Sequence, residues 1–278
     1  AAAQTRLMVK SGGNVGIGTT TPAHPLHVNG TIRTVGSGYA TDIVTHLNGG
    51  ITIGQDISGI QSQAVNIGRS VGRFNAGTRG VLIGLQAGYR GSYSHDQIAI
   101  GTSSNSGGGA YSKNSAIGIG NNSNYNGGDY TTSVGSNTGA ASPSSYTNSA
   151  FFGYQAGNSG GNNSVFVGYE AGKSDGVQLV SNTVAVGYQA LTALTTGANN
   201  TAVGYQAGVA LSTGANNTFL GYQAGDSVVS SNNTIVGAGA GIALGNANGS
   251  VIMGSGAAAV ANGTTYGVVI GYQAVGNG

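Results

Sequence analysis

Cysteine and tryptophan are absent from this chain of 278 residues, and proline occurs three times. Without cysteine there is no disulfide stapling and no thiolate metal site. Charge is scarce: only 6% of residues are charged, with nine basic and seven acidic side chains and a formal net charge of +2. That balance leaves no basic patch of the kind that binds nucleic acid. It also departs from the charge-rich composition of ordinary disordered tails. No run of about 18 apolar residues occurs, so no helical membrane span is encoded. Ala1 to Lys10 lacks the basic start and apolar centre of a signal peptide. The opening without Met and the stop at Gly278 in mid-pattern lead us to expect a piece of a longer chain.

Glycine, by contrast, is abundant, at 54 residues, but without the strict triplet period of collagen. Hydrophobic residues make up 39%, mostly the small ones Ala, Val and Ile. A thin core of small side chains is expected rather than a globular core of Leu and Phe.

Residues 199–208 read NNTAVGYQAG and residues 216–225 read NNTFLGYQAG. A chain that writes nearly the same ten residues twice is building an array, in which each copy presents the same face to the next. The landmark is a glycine preceded by an apolar residue. It recurs at Gly68, Gly84, Gly101, Gly118, Gly135, Gly153, Gly168, Gly187, Gly204, Gly221, Gly237, Gly254 and Gly271. The intervals are 16, 17, 17, 17, 18, 15, 19, 17, 17, 16, 17 and 17. Gly54, in ITIG, is a candidate earlier member.

The residue two before the glycine is usually apolar as well, as at Leu82, Phe151, Ala202 and Phe219. Neighbouring residues on a strand point to opposite faces. Apolar residues at both positions mean that both faces are covered. The intervening TTGANN (195–200), STGANN (212–217) and VSSNN (229–233) are turn formers, and no segment has helical periodicity.

The expected fold is therefore all-β: a left-handed parallel β-solenoid or β-roll with coils of ~17 residues. Each coil has room for two short strands and two turns. At the strand spacing of about 4.8 Å, thirteen coils give a rod on the order of 60 Å long. One strand face packs inside its own coil. The other would lie in water in a single chain, and such stripes mark association. Three copies around an axis would bury it, giving an intertwined homotrimer. Residues 1–50 are expected to form a connector and residues 51–278 the repeat shaft, with longer loops at about 88–149.

The GYQA tetrapeptide fits the same scheme. Tyr154, Tyr169, Tyr188, Tyr205, Tyr222 and Tyr272 are expected to stack as a ladder. A second ladder would hold Gln155, Gln189, Gln206, Gln223 and Gln273, with Glu170 substituting once. A carbohydrate-binding aromatic strip is the functional alternative to the structural ladder. Loops around GYRGSYSHD (88–96) and NYNGGDY (124–130) carry Tyr89, Tyr93, Tyr125 and Tyr130. Tyr with Gly and Ser gives adaptable recognition surfaces, so these loops are the candidates for receptor contact, against the plainer reading as decorated turns.

Residues 6–33 add a separate signal. GNVGIGTTTP (13–22) followed by LHVNGTIR (26–33) resembles a segment of bacteriophage tail fibres and related trimeric fibre proteins. The NTAVGYQA repeats are similar to those of the same fibres and to the head repeats of trimeric autotransporter adhesins. In such fibres the first segment often lies near a self-cleaving C-terminal chaperone. No chaperone domain is recognisable here, so none of its catalytic residues is carried over.

Catalytic and metal sites find little support. His24, His27, His46 and His95 show no ligand spacing for an axial metal; Pro25 separates the first two from a shared strand face. No GxSxG elbow marks a nucleophile. The acids Asp42, Asp56, Asp96, Asp129, Glu170, Asp175 and Asp226 are too scattered for the paired carboxylates of a depolymerase. Regular Asp for calcium repeats is missing, and Thr201, Thr218 and Thr234 recur too briefly for an ice-binding face, with Thr183 one register off. Asn-x-Ser/Thr sequons, as at Asn199, Asn216 and Asn232, are read as turn chemistry rather than glycosylation. No enzyme activity and no cofactor are expected. The expectation is a structural fibre shaft on a virion or cell surface, whose partners are itself, other fibre or tail proteins, and a host surface glycan or protein. The alternative is a bacterial trimeric adhesin that binds host or matrix through the rod.

Overall fold

A computed structural model describes residues 7–28, 32–36, 39–45, 51–55, 64–72, 79–89, 95–107, 114–140, 146–174, 180–242, 244–246, 248–259 and 267–276. Leu7–Val9, Val15–Ile17 and Leu26–Val28 form a small sheet, the first pair antiparallel and the second parallel. A sixteen-stranded sheet holds most of the remainder, in an order that follows the chain. It begins with Ile32–Gly36, Tyr39–Thr45 and Ile51–Gln55, paired antiparallel. From Ile51–Gln55 onward every strand pairs parallel with the next, up to Val268–Ile270. This is an all-β parallel solenoid, with no helix among the described residues. The register confirms the repeat: Val186 pairs with Val203, and Val203 with Leu220, in steps of 17 residues.

Each of these coils contributes one strand to the long sheet, usually of three residues; the second strand that the sequence led us to expect in every coil forms, among the described residues, only where Ala258–Ala259 pairs with Val275–Gly276. The strand stops just past the landmark glycine. Gln189, Gln206 and Gln223 take left-handed backbone, with φ of 52°, 52° and 50°, and that breaks any extended run. The turn still pairs with the neighbouring coil. Gln206 N–H donates to the Tyr188 carbonyl at 2.8 Å, and Gly208 N–H to the Ala224 carbonyl at 2.9 Å. Backbone hydrogen bonding is thus satisfied coil to coil without strand geometry.

The residue two before the glycine points inward. Leu82, Ala99, Phe151, Phe166, Ala185, Ala202, Phe219, Ile235 and Ile252 are all buried. They meet the buried alanines of the GYQA motif, such as Ala156, Ala171, Ala207 and Ala224. Phe151 and Phe166 stack at 5.3 Å between ring centres. The residue one before the glycine points outward and is only partly covered: Ile67, Ile119, Phe152, Leu220 and Met253 are all exposed. Two apolar rows thus sit on two faces, as the alternation requires, and one chain covers only the inner row.

One landmark needs correcting. Gly118 pairs with Ala99 and occupies the inward row; Gly120, with φ of 129°, occupies the landmark row between Gly101 and Gly135. IGIG offers two glycines, each after an isoleucine, and even spacing favours the wrong one. The local interior decides. A Cβ at Gly118 would lie 2.7 Å from Asn105 Oδ1 and 2.7 Å from Ser104 Oγ, so the inward place has no room for a side chain. Gly54 pairs with Gly68 and does belong to the row.

Candidate functional site

With the rows aligned, each letter of GYQA has a position. The glycine is crowded, the tyrosine points out, the glutamine turns the chain, and the alanine is buried. Tyr154, Tyr169, Tyr188, Tyr205 and Tyr222 form one stack, with ring centres 5.3, 5.1, 5.2 and 5.1 Å apart. Tyr272 does not join it. Ala238 and Ser255 fill the two intervening coils, so no ring lies within stacking reach. Tyr169, Tyr188 and Tyr205 have a ring on either side, so their faces are spent on one another. What remains outward is ring edge and hydroxyl, which suits a structural ladder and not a strip on which sugar rings would lie.

The glutamine row is a directional chain. Gln223 Nε2 donates to Gln206 Oε1 at 3.2 Å, Gln206 Nε2 to Gln189 Oε1 at 3.1 Å, and Gln189 Nε2 to Glu170 Oε2 at 2.9 Å. Lys173 Nζ holds the other Glu170 oxygen at 3.0 Å. The bond from Gln189 holds the Glu170 carboxyl below its ordinary range, and Lys173 adds to this. The chain ends there because a carboxylate has no proton to pass on to Gln155. Gln273 is cut off from the row by Gly239 and Gly256.

Asparagine builds two further ladders that the sequence did not announce as such. Asn148, Asn163, Asn182, Asn199, Asn216, Asn232 and Asn248 pass hydrogen bonds along the outside at 3.1–3.3 Å. The second Asn of each NNT is buried: Asn217 Nδ2 donates to Asn200 Oδ1 at 3.0 Å, and Asn233 Nδ2 to Asn217 Oδ1 at 3.1 Å. The signal was the doubled asparagine, but pairing appears only once the coils are in register.

The rows change character between Gly101 and Gly153. In the glutamine row the side chains shorten to Ser103, Asn122 and Asn137 before Gln155 restores full length. This leaves a cleft of about 560 Å³, lined by Ser103, Asn122, Tyr125, Asn137, Ala140, Gln155 and Asn158. Its floor is anchored: Asn122 N–H donates to the Thr102 carbonyl, Asn137 N–H to Asn121 and Gln155 N–H to Ser136, at 2.8–3.0 Å. Asn122 Nδ2 donates to Asn137 Oδ1 at 3.2 Å. The side chains of Ser103, Gln155 and Asn158 make no hydrogen bond among the described residues. Beneath the floor the interior is polar. Tyr146 is fully buried, its hydroxyl donating to the Gly139 carbonyl and lying 3.0 Å from Asn124 Oδ1. Burial raises the pKa of that hydroxyl and keeps it protonated.

Of the tyrosines singled out for receptor contact, Tyr125 lines this cleft and is exposed. Tyr130 is exposed away from its lining, and Tyr89 is half-buried with its N–H donating to the Gln86 carbonyl at 3.2 Å. Tyr93 and His46 lie outside the described residues. The His24 and His27 ring centres are 6.3 Å apart, and His27 Nδ1 accepts the Ala23 N–H at 3.3 Å. No group of three potential metal ligands occurs among the described residues. Several carboxylates have structural tasks: Asp96 pairs with Arg79 at 2.7 Å, and Asp129 accepts the Asn114 N–H at 2.7 Å. No family model, curated protein or solved structure matches the chain.

Proposed function

We propose that this chain is the shaft of a homotrimeric extracellular fibre of the bacteriophage tail-fibre kind, supporting attachment to a host cell. The observation that carries this reading is the outward apolar row. It extends from Ile67 through Phe152 and Leu220 to Ile270, on a sheet whose other face is already the core. A stripe of that length on one side of a rod needs a cover, and copies of the same rod bring a matching stripe. The segment GNVGIGTTTP and the GYQA repeats, which resemble those of trimeric fibres, support the number three. The work is mechanical: reach, stiffness and multivalent display. Glu170, Asp96 and Asp129 are held in ion pairs and hydrogen bonds, which fits a structural role.

The runner-up, a bacterial trimeric adhesin that binds through the rod itself, draws on the lateral cleft at Tyr125.

Neighbouring residues on opposite faces test the shaft. Phe219→Ala empties the inner row and should cost about 3–5 kcal/mol in any association state. Leu220→Lys touches only the outer row. It should leave the β-sheet spectrum intact and turn a trimer into monomers in sedimentation. An assembly that tolerates Leu220→Lys together with Val186→Lys would refute the buried-stripe reading.

A further inference from the structure

The notch between Gly101 and Gly153 is a departure from the repeat, and the departure is chemically coherent. Three successive coils exchange the long amide of the glutamine row for Ser103, Asn122 and Asn137. Gln itself is compatible with this backbone: Gln86, Gln155 and Gln189 hold φ of 56°, 53° and 52°, close to the 53°, 49° and 54° of the three shortened residues. The shortening is therefore not forced by the turn. Its effect is to open a cleft of about 560 Å³ beside the stretch of the row that Gln155, Glu170, Gln189, Gln206 and Gln223 fill with long side chains. That volume falls within the range of small-ligand sites.

The lining specifies a ligand class. Among the described residues, four primary amides, one hydroxyl and one phenol face the cleft, and no charged side chain does. Amides offer both a donor and an acceptor, the pairing that a sugar hydroxyl also offers. Glu170, by ending the amide chain, leaves Gln155 without a donor from above, so both ends of its amide face the cleft unspent. Asn158 and Ser103 are likewise uncommitted within the described residues. Tyr125 adds an exposed ring, an apolar surface with a polar tip. A charged ligand would find no counter-charge among the described lining residues. A purely apolar one would strip water from amides without replacing it.

We propose that this cleft is a lateral binding site for a neutral oligosaccharide, with Tyr125 as the platform and Asn122, Asn137, Gln155 and Asn158 as its hydrogen-bonding partners. The site stands on the notch alone and does not depend on the shaft reading. Repetition around a trimer would present three such sites on one rod and raise avidity without any new contact.

The test uses the full chain and a panel of neutral tetrasaccharides built of glucose, galactose, mannose or N-acetylglucosamine, with a sialylated tetrasaccharide as the charged control. Binding is read by saturation-transfer NMR and titration calorimetry. At least one neutral member should bind, in preference to the charged control. Tyr125→Ala should weaken it by at least about tenfold. Asn137→Gln, which restores the row and refills the notch on a backbone that accepts Gln, should weaken it to a similar degree. Tyr205→Ala, far along the ring stack, should leave it unchanged. Native mass measured on each variant separates this test from that of the shaft. A chain of unchanged mass that binds no neutral member, or that binds one equally well after Asn137→Gln, overturns the proposal.

Discussion

The Cβ position of Gly204 lies 2.1 Å from the carbonyl oxygen of Gly221, one coil further along. No side chain fits there, and φ of 142° at Gly204 is itself disfavoured for any other residue. Gly204→Ala should therefore cost at least about 1–3 kcal/mol from backbone strain, before the clash is counted. Gly271 supplies the comparison. Its φ is 136°, but its nearest neighbour is the Ala274 Cβ at 3.4 Å. Gly271→Ala meets the strain without the clash. Thermal unfolding of the two variants should show a clearly larger loss for Gly204→Ala; equal losses would remove close coil approach as the reason for the repeat.

Acid should weaken the glutamine chain at its carboxylate end. Glu170 is held below the usual carboxylate range by Gln189 and Lys173. A group with a lowered pKa in the folded state contributes stability above its unfolded value, near pH 4.3 for Glu, and loses it as pH falls through the folded value. Unfolding free energy should thus decline below about pH 4, and part of that decline should vanish in Glu170→Gln. The same variant supplies the missing donor, so the chain should extend to Gln155. An acid limb identical in both proteins would contradict this role for Glu170.

Tyr146→Phe should destabilise the irregular coils. It removes a fully buried hydroxyl that serves the Gly139 carbonyl and Asn124. A buried polar group left without its partner costs about 1–3 kcal/mol. Hydrogen exchange should quicken around residues 124–139 and stay unchanged around residues 199–225. Uniform exchange in both regions would show that the polar interior is not a separate locus of stability.

Much of this rod is legible in its repeats, because each GYQA letter answers a local demand. A crowded glycine, an outward ring, a left-handed glutamine and a buried alanine recur wherever the coil does. Legibility fails where the demand is set by a neighbouring coil. Gly118 looked like a landmark because its isoleucine and its spacing match. Only the Asn105 amide against it shows that the inward place is already full. That one slip also hides the cleft. With Gly118 as landmark, Gly120 falls in the glutamine row and Asn122 does not, so the run Ser103, Asn122, Asn137 never lines up. Tyr272 misleads for the opposite reason: its motif is complete, but Ala238 and Ser255 separate it from Tyr222. The second strand is seen only as Ala258–Ala259 against Val275–Gly276; elsewhere among the described residues the stretch past left-handed residues such as Gln206 runs as turns, which a pattern of apolar positions does not reveal.

In the proposed homotrimer the outward row of Ile67, Phe152, Leu220 and their neighbours, exposed on one chain, is buried between three. Native mass in solution, by light scattering before and after mild heating in detergent, tests it most directly. The account predicts about three times 27.1 kDa, retained in detergent. A clean monomer of 27.1 kDa would mean that the row stays in water, and the fibre reading would lose its physical basis.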